Sequence, residues 1–444
     1  MAKFEIKDGV AIIPEGTTEI GNRAFFDCTS LKSITIPDSV TSIGKEAFSG
    51  CSSLTSIVIP DSVTSIGKEA FSGCSSLTSI VIPDSVASIE EGAFEGCDSL
   101  KQSPTIEIRI KKFSYRLLMH NRLAMVTRYY GDTQIVVIPS EISYEGVSYR
   151  VTSIGYSAFR CRNSLKKITI PDSVTSIGDF AFSDCESLTS VVIPDSVTSI
   201  GEWAFEYCKR ITKIKIPDSV TSIGRFAFTD CRGLTKVKIP NSVKSIEMAT
   251  FSNCKLLQEV TIPNSVTSIG HYAFCECESL IGIYIPDSVT SIGKEAFRDC
   301  QSLAYVVVAK GNMVYESREN CNAIIEKATN TLIYGSRNTT VPSGVTSIGD
   351  YALSGRYRLT NINIPDSVKS IGLMAFEHCS SLTAITIPDS VTNIQCEAFS
   401  CCFSLWNITY NGTQEQWKNI QLHHSWNNHV PAKVVHCTDG DVEI

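Results

Sequence analysis

"IPDSVTSIGKEAFSGC" fills residues 36–51 and returns letter for letter at residues 59–74. It returns again at residues 285–300, altered only at Arg298 and Asp299. A stretch that recurs at a fixed step marks a chain built from copies of one structural unit. Written from its leucine, the unit is Leu-x-x-Ile-x-Ile-Pro-Asp-Ser-Val-x-x-Ile-Gly-x-x-Ala-Phe-x-x-Cys-x-x, 23 residues long. Its physical chemistry can be followed in the copy that starts at Leu54. Ile57 and Ile59 stand two apart, which predicts a short strand with one face inward. Pro60 ends that strand because it has no amide hydrogen to donate. Asp61 and Ser62 have short polar side chains that bond nearby backbone and fix a turn. Val63 and Ile66 predict a second short strand, and Gly67 permits a bend. Lys68 to Gly73 is too short for a free-standing helix, so one helical or 3-10 turn pinned by Phe71 is expected.

No single copy can bury its own apolar residues, but stacked copies can. Leucine, isoleucine, valine, phenylalanine and cysteine then form columns through a continuous core. The Ala-Phe signature counts about fourteen coils, two of them altered to Thr250-Phe251 and Ala352-Leu353. Short parallel strands and short turns are expected in each coil. Thirteen of the eighteen cysteines follow the same step, with Cys161 one residue out of register and Arg356 in a cysteine's place. Free cysteine behaves as a small buried apolar residue, so the column reads as core packing rather than as a redox or metal centre.

The composition agrees with a folded repeat protein. The 444 residues are 43% hydrophobic and 19% charged, and the net charge is −7. An acidic balance excludes nucleic acid as the main partner, since phosphate binding needs a dominant basic surface. No apolar run approaches the length of a membrane span. The first residues lack a signal peptide's apolar core. The chain therefore reads as cytoplasmic, or as a surface or secreted protein in processed form.

Two interruptions break the step. Cys97 to Pro139 and Cys300 to Pro342 each span 42 residues where an ordinary copy needs nine. In the first, Phe113–Leu117 and Ala124–Tyr129 read as strands around His120-Asn121-Arg122, followed by Gln134–Ile138 and a smaller loop over Ser143–Arg150. In the second, Ala323–Ile325 and Thr331–Ile333 read as a hairpin. Past Trp406 the pattern fades, and Thr413 with Gln416 forms a capping-box pair for a short helix. The expected organisation is coils over 1–100, a β-hairpin insertion over 101–150, and coils over 151–303. A second insertion over 304–341, coils over 342–405 and a C-terminal cap over 406–444 complete it.

The repeat resembles the BspA-like leucine-rich repeat, the 23-residue bacterial type also linked with Treponema. The stretches Tyr315–Ile325 and His436–Gly440 resemble recurring pieces of gut-bacterial members. The resemblance implies a curved, right-handed leucine-rich β/α solenoid. It also implies protein binding and, in surface members, adhesion to host matrix or to other bacteria. The chain departs from surface members in lacking a lipoprotein cysteine near its start and a sorting tail.

A catalytic site would break the pattern, and the departures supply few candidates. Gly-x-Ser-x-Gly, P-loop and His-Glu-x-x-His motifs are absent, so no catalytic residue and no cofactor is assigned. Cys396, Cys401 and Cys402 sit close in sequence, and His423, His424, His429 and His436 gather near Cys437. These types bind zinc, which leaves a metal-binding effector or enzyme in the cap as the alternative to a plain polar cap over Trp417 and Trp426. The row of aspartates after proline, from Asp38 through Asp84 to Asp389, could suggest calcium, yet turn bonding explains it equally well.

Function in a solenoid lies in its variable positions. One variable column is the outward side of the Leu-x-x-Ile-x-Ile strand. It passes from Ser56, Val58, Ser79 and Val81 to Lys167, then Lys213 and Lys215, then Lys236 and Lys238, then Glu259, Tyr284 and Tyr305. Alternate strand residues share a face, so these lysines should form a basic patch beside tyrosines. A merely solubilising face is the other reading. The second column precedes Ala-Phe and reads Phe180, Trp203 and Phe226 in successive coils. Those rings fit either a contact edge or packing between coils. The expected function is a non-enzymatic protein-binding solenoid that uses these positions, with a host-matrix or bacterial surface protein as partner.

Overall fold

The computed structural model describes residues 4–444 apart from 82, 84, 85, 87, 91, 100–104, 119–121 and 145. The turn expected at His120-Asn121, the turn residue Asp84 and the outward side chains of Ser79 and Val81 lie outside the described set. The chain forms two compact units. Unit 1 comprises residues 1–132, 138–158 and 173–175; unit 2 comprises 133–137, 159–172 and 176–444.

Each coil in both units repeats one circuit. In unit 1, Ser56–Val58 forms the first strand and Ser65–Ile66 the second. The first strand pairs in parallel with Ser79–Val81 one copy later, and Ser42–Ile43 pairs in parallel with Ser65–Ile66. Leu54, Ile57, Ile59, Val63, Ile66, Phe71 and Cys74 are all buried, as the columns require. Between the strands, the Val63 amide donates to the Pro60 carbonyl at 3.1 Å and closes the proline turn. The Ser62 hydroxyl donates to the Val40 carbonyl of the preceding coil at 2.6 Å.

The third side of the coil differs from expectation. Lys68 to Gly73 is a run of turns, not a helix or a 3-10 turn. Its Phe71 and Gly73 amides donate to the carbonyls of Ala93 and Glu95 in the next coil at 2.8 and 2.7 Å, and its carbonyls accept likewise from the coil before. The amides of Glu46, Phe48 and Gly50 reach the carbonyls of Lys68, Ala70 and Ser72 at 2.9, 2.7 and 2.7 Å. An α-helix needs those amides for its own ladder, so coil-to-coil bonding displaces it. Most coils have positive φ at two positions of this turn, as at Phe180 (56°) and Asp184 (60°). Gly67 serves close approach rather than a left-handed bend. A β-carbon there would lie 2.7 Å from the Lys45 amide nitrogen.

Both insertions are three-stranded. In unit 1, Thr105–Ile110, Phe113–Leu118 and Leu123–Tyr129 run antiparallel in sequence order. The first pairs in parallel with Ser79–Val81 and the third with Val147–Ile154. An odd number of antiparallel strands returns the chain to the stack in its original direction. Unit 2 repeats the device with Tyr315–Glu316, Ala323–Glu326 and Thr331–Gly335, the last parallel to Ser347–Ile348. Sequence reading missed the strands at Thr105 and Tyr315. Ser143–Arg150 belongs to a hairpin, Glu141–Tyr144 with Val147–Ile154, rather than a loop.

Unit 2 continues the coil past the last Ala-Phe. Gln421–Leu422 pairs with Asn393–Ile394, and the Phe399 amide donates to the Trp426 carbonyl at 2.8 Å. Trp426 thus takes the backbone place of the repeat's alanine, and its ring packs edge-on to Phe399 at 6.0 Å. The helix Gln414–Lys418 bridges to this coil with Thr413 and Gln416 in a capping box and Trp417 buried. The hairpin Val434–Cys437 and Gly440–Glu443 follows.

Candidate protein-binding face

The outward lysines all lie in unit 2. Ile57-type residues turn inward, so Lys213, Lys215, Lys236 and Lys238 turn to solvent, and all four are exposed. They line one open depression of about 740 Å³ together with Asp195, Asp218, Ser219, Glu259, Thr261 and the rims of Ile214, Ile216, Pro217 and Val237. The parallel ladder lapses there. Lys167–Thr169 pairs fully with Ser190–Val192, and Lys236–Lys238 with Glu259–Thr261. Between them, Lys213 keeps a single bridge to Lys236. Like charges opposed across neighbouring strands repel, although the ladder also thins to a single bridge at the uncharged pair Asn363 and Thr386.

The two paired lysines point in opposite directions. Lys215 turns back toward Asp195, with Nζ 3.8 Å from the carboxylate, and Lys236 turns forward to Glu259 at 2.7 Å. Both pairs are well exposed and therefore weak. Among the described residues, Lys213 and Lys238 have no carboxylate within ion-pair distance. The depression thus sets four cations among three carboxylates, with two ammonium groups uncommitted. Asp195 and Asp218 belong to the row of aspartates that the sequence offers as turn residues or calcium ligands, not as part of the lysine face. The place of Asp218 was legible in principle, because its Pro-Asp turn directly follows Lys213 and Lys215, whereas Asp195 follows the lysine-free strand Ser190–Val192 one coil earlier.

The other singled-out strand residues do not line the depression. Lys167 pairs with Ser190 and stands two coils before Lys213. Tyr284 and Tyr305 lie beyond, on the paired strands Gly282–Ile285 and Tyr305–Val308, and both are exposed. Phe180, Trp203 and Phe226 lie on the turn side of the coil instead. They form one half-buried stack, with centroids 4.9 and 4.8 Å apart and rings within 7° and 2° of parallel. The Arg160 guanidinium covers the outer face of Phe180 at 5.1 Å. Packing between coils therefore occupies most of their ring faces.

The cysteine column is a hydrogen-bonded core. From Cys51 onward, each thiol in it donates to the carbonyl of the phenylalanine-position residue one coil back, as in Cys208 to Phe182 and Cys379 to Leu353, both at 3.2 Å. Burial pushes the thiols of Cys185, Cys300 and Cys379 up to about 12. Cys161 does not belong to this column. It is exposed at a left-handed position, φ 58°, and Arg162 takes the column's backbone contact. Twelve cysteines, not thirteen, therefore share the step.

In the final coils Cys402 points into that core, whereas Cys396 and Cys401 face outward. Cys396 lies 3.6 Å from His424 Nδ1 and Cys401 lies 3.9 Å from His429 Nδ1. His436 Nδ1 bonds Asp441 at 2.8 Å. His424, His429 and His436 are thus spread over separate pairs, and the His423 Nε2 is buried without a hydrogen-bond partner among the described residues. No group of three or more His, Cys, Asp or Glu side chains placed to hold a metal occurs among the described residues. Nor do those residues include a helix long and apolar enough to cross a membrane.

Comparison with known proteins agrees with this geometry. Solved structures similar to the chain include a leucine-rich cell surface protein from Faecalibacterium prausnitzii, 30% identical, TM-score 0.55, with 71% of this chain and 97% of that chain covered. The pneumococcal vaccine antigen PcpA matches at 20% identity and TM-score 0.53 over 74% of this chain and 81% of its own, a likeness of fold alone. No curated protein sequence gives a significant match. Leucine-rich repeat solenoids present regular surfaces on which protein partners dock. The model for the BspA type leucine-rich repeat region, six copies, matches residues 9–123, 152–256, 221–332 and 331–425, and the chain belongs to that family.

Proposed function

We propose that the chain is a non-enzymatic adhesion or partner-capture solenoid whose contact face is the outward strand side of unit 2, centred on Lys213, Lys215, Lys236 and Lys238. The observation that carries this is the depression at the lapsed ladder, where two of four exposed lysines remain uncommitted. An acidic partner would relieve a repulsion that the folded chain gains nothing from. Lys167 on one side and Tyr284 and Tyr305 on the other extend the same face, with aromatic area of the kind that anchors interfaces. The similarity to a cell surface protein favours a partner outside the cell, in host matrix or on another bacterium.

Charge reversal tests it. Parent protein and a variant with all four lysines changed to glutamate would be incubated separately with host matrix and with bacterial lysate. The variant should melt with the parent and lose the parent's partner. Equal capture by both proteins would turn attention to the edge formed by Phe180, Trp203 and Phe226.

A further inference from the structure

One outward column of unit 2 reads, coil by coil, Val192, Lys215, Lys238, Thr261, Tyr284 and Val307. Its apolar members are far from buried: Val192 is 65% exposed, Tyr284 52% and Val307 47%. Single exposed apolar residues are ordinary on a soluble surface. These fall in line on either side of a charged depression, where each stays in water unless something covers it. The column therefore runs apolar, cationic, polar and apolar again along the stacking direction.

Resting on the lysine face as the partner site, we infer that its occupant is an extended peptide segment lying along the stack, with an acidic centre and an apolar residue toward each end. Charge complementarity sets the centre, because Lys213 and Lys238 lack carboxylate partners among the described residues. The three carboxylates in the depression argue against a uniform polyanion, which they would repel. The column sets the spacing. Coils stand about 4.8 Å apart and an extended chain advances about 3.3 Å per residue. Val192 lies one and a half coils from the midpoint of Lys215 and Lys238, roughly 7 Å or two residues. Tyr284 lies two and a half coils from it on the other side, roughly 12 Å or three to four residues. The recognised pattern is accordingly asymmetric: an apolar residue two positions from the acid on one side, and an aromatic or aliphatic residue three to four positions away on the other. The pattern from Val192 to Tyr284 thus spans about seven residues.

The test uses the intact protein. Random dodecapeptides displayed on phage would be selected on it, and the enriched sequences synthesised and titrated against three proteins: parent, K213E/K238E and V192S/Y284S. Melting curves would first establish that all three are folded. Enriched peptides should carry the asymmetric pattern. K213E/K238E should weaken them about tenfold or more, and V192S/Y284S about three- to tenfold. Peptides with glycine in place of both apolar residues should bind parent and V192S/Y284S alike. Acidic peptides that need the lysines but ignore V192S/Y284S would overturn the apolar ends while leaving the lysine face standing. Peptides indifferent to K213E/K238E would overturn the lysine face as well. Failure to enrich any peptide, with lysine-dependent retention on heparin, would replace the peptide by a sulfated polysaccharide and overturn the inference.

Discussion

Arg356 stands where the repeat places cysteine, and it shows what that column needs. The guanidinium is fully buried without a carboxylate in ion-pair range among the described residues. Nε donates to the Gly335 carbonyl at 2.7 Å, and the two terminal nitrogens donate to Ser354 and Phe297 at 3.1 Å each. The Phe297 carbonyl is the kind of acceptor that a thiol takes elsewhere in the column. Arg356 thus bridges the coils that the second insertion separates. Arg356→Met should leave three carbonyls without these donors and cost about 1–3 kcal/mol, read from urea unfolding. A loss below about 1 kcal/mol would contradict the bonding described. The thiols make a second residue-scale prediction. Folded values near 12 lie above the roughly 8.5 of an unfolded cysteine. Their contribution is therefore intact below about pH 8.5 and is lost as pH rises toward 12, by about 1.4 kcal/mol per pH unit for each thiol. The urea midpoint should fall steeply over that window, and more gently in a variant with Cys185, Cys300 and Cys379 changed to alanine. Parallel slopes would count against it. Brief alkylation of native protein should mark exposed Cys161 and spare Cys208 and Cys254, which are buried. The fixed step revealed the column, but one residue of slippage at Cys161 reversed its environment.

At the scale of the element, the phenylalanine column is the clearest structural claim. Phe182, Phe205 and Phe228 stack with centroids 5.1 and 5.3 Å apart and no exposed surface. Phe205→Ala should cost about 3–5 kcal/mol, as emptying a buried aromatic site does. Lys68→Ala, at a variable surface position, should change stability by less than about 0.5 kcal/mol. Thermal or urea unfolding that gave equal losses would mean the core column is misplaced. The inward residues of the strands were legible because Ile57 and Ile59 keep a period of two. The third side was not. Lys-Glu-Ala-Phe has good helix formers, but its amides serve the adjacent coil, and a neighbour's bonding demand is invisible in a local window. Thr105–Ile110 was missed for a related reason. Ile106, Ile108 and Ile110 alternate as a strand does, but the partner that holds the segment is the distant coil strand Ser79–Val81, outside any local window.

For the molecule as a whole, repetition makes the departures informative. A uniform coil has uniform outward positions, and this one changes them from serine and valine to lysine and then to tyrosine. The lysines were visible as a column in the sequence. The depression was not, because it depends on the ladder lapsing where Lys213 and Lys236 oppose each other, and on where Asp195 and Glu259 draw the neighbouring ammonium groups. The stack of Phe180, Trp203 and Phe226 was likewise visible as a column. Ring-on-ring packing at under 5 Å emerged only with the coil spacing. The most direct measurement is the affinity of the captured acidic partner at low and at physiological salt, for the parent and for the protein with Lys213, Lys215, Lys236 and Lys238 all changed to glutamate. Screening acts over about 8 Å at physiological ionic strength, so parent affinity should fall with salt. The variant should bind weakly at both concentrations, with little salt dependence left. A variant that binds as tightly as the parent, with the same response to salt, would contradict the lysine face as the site of capture.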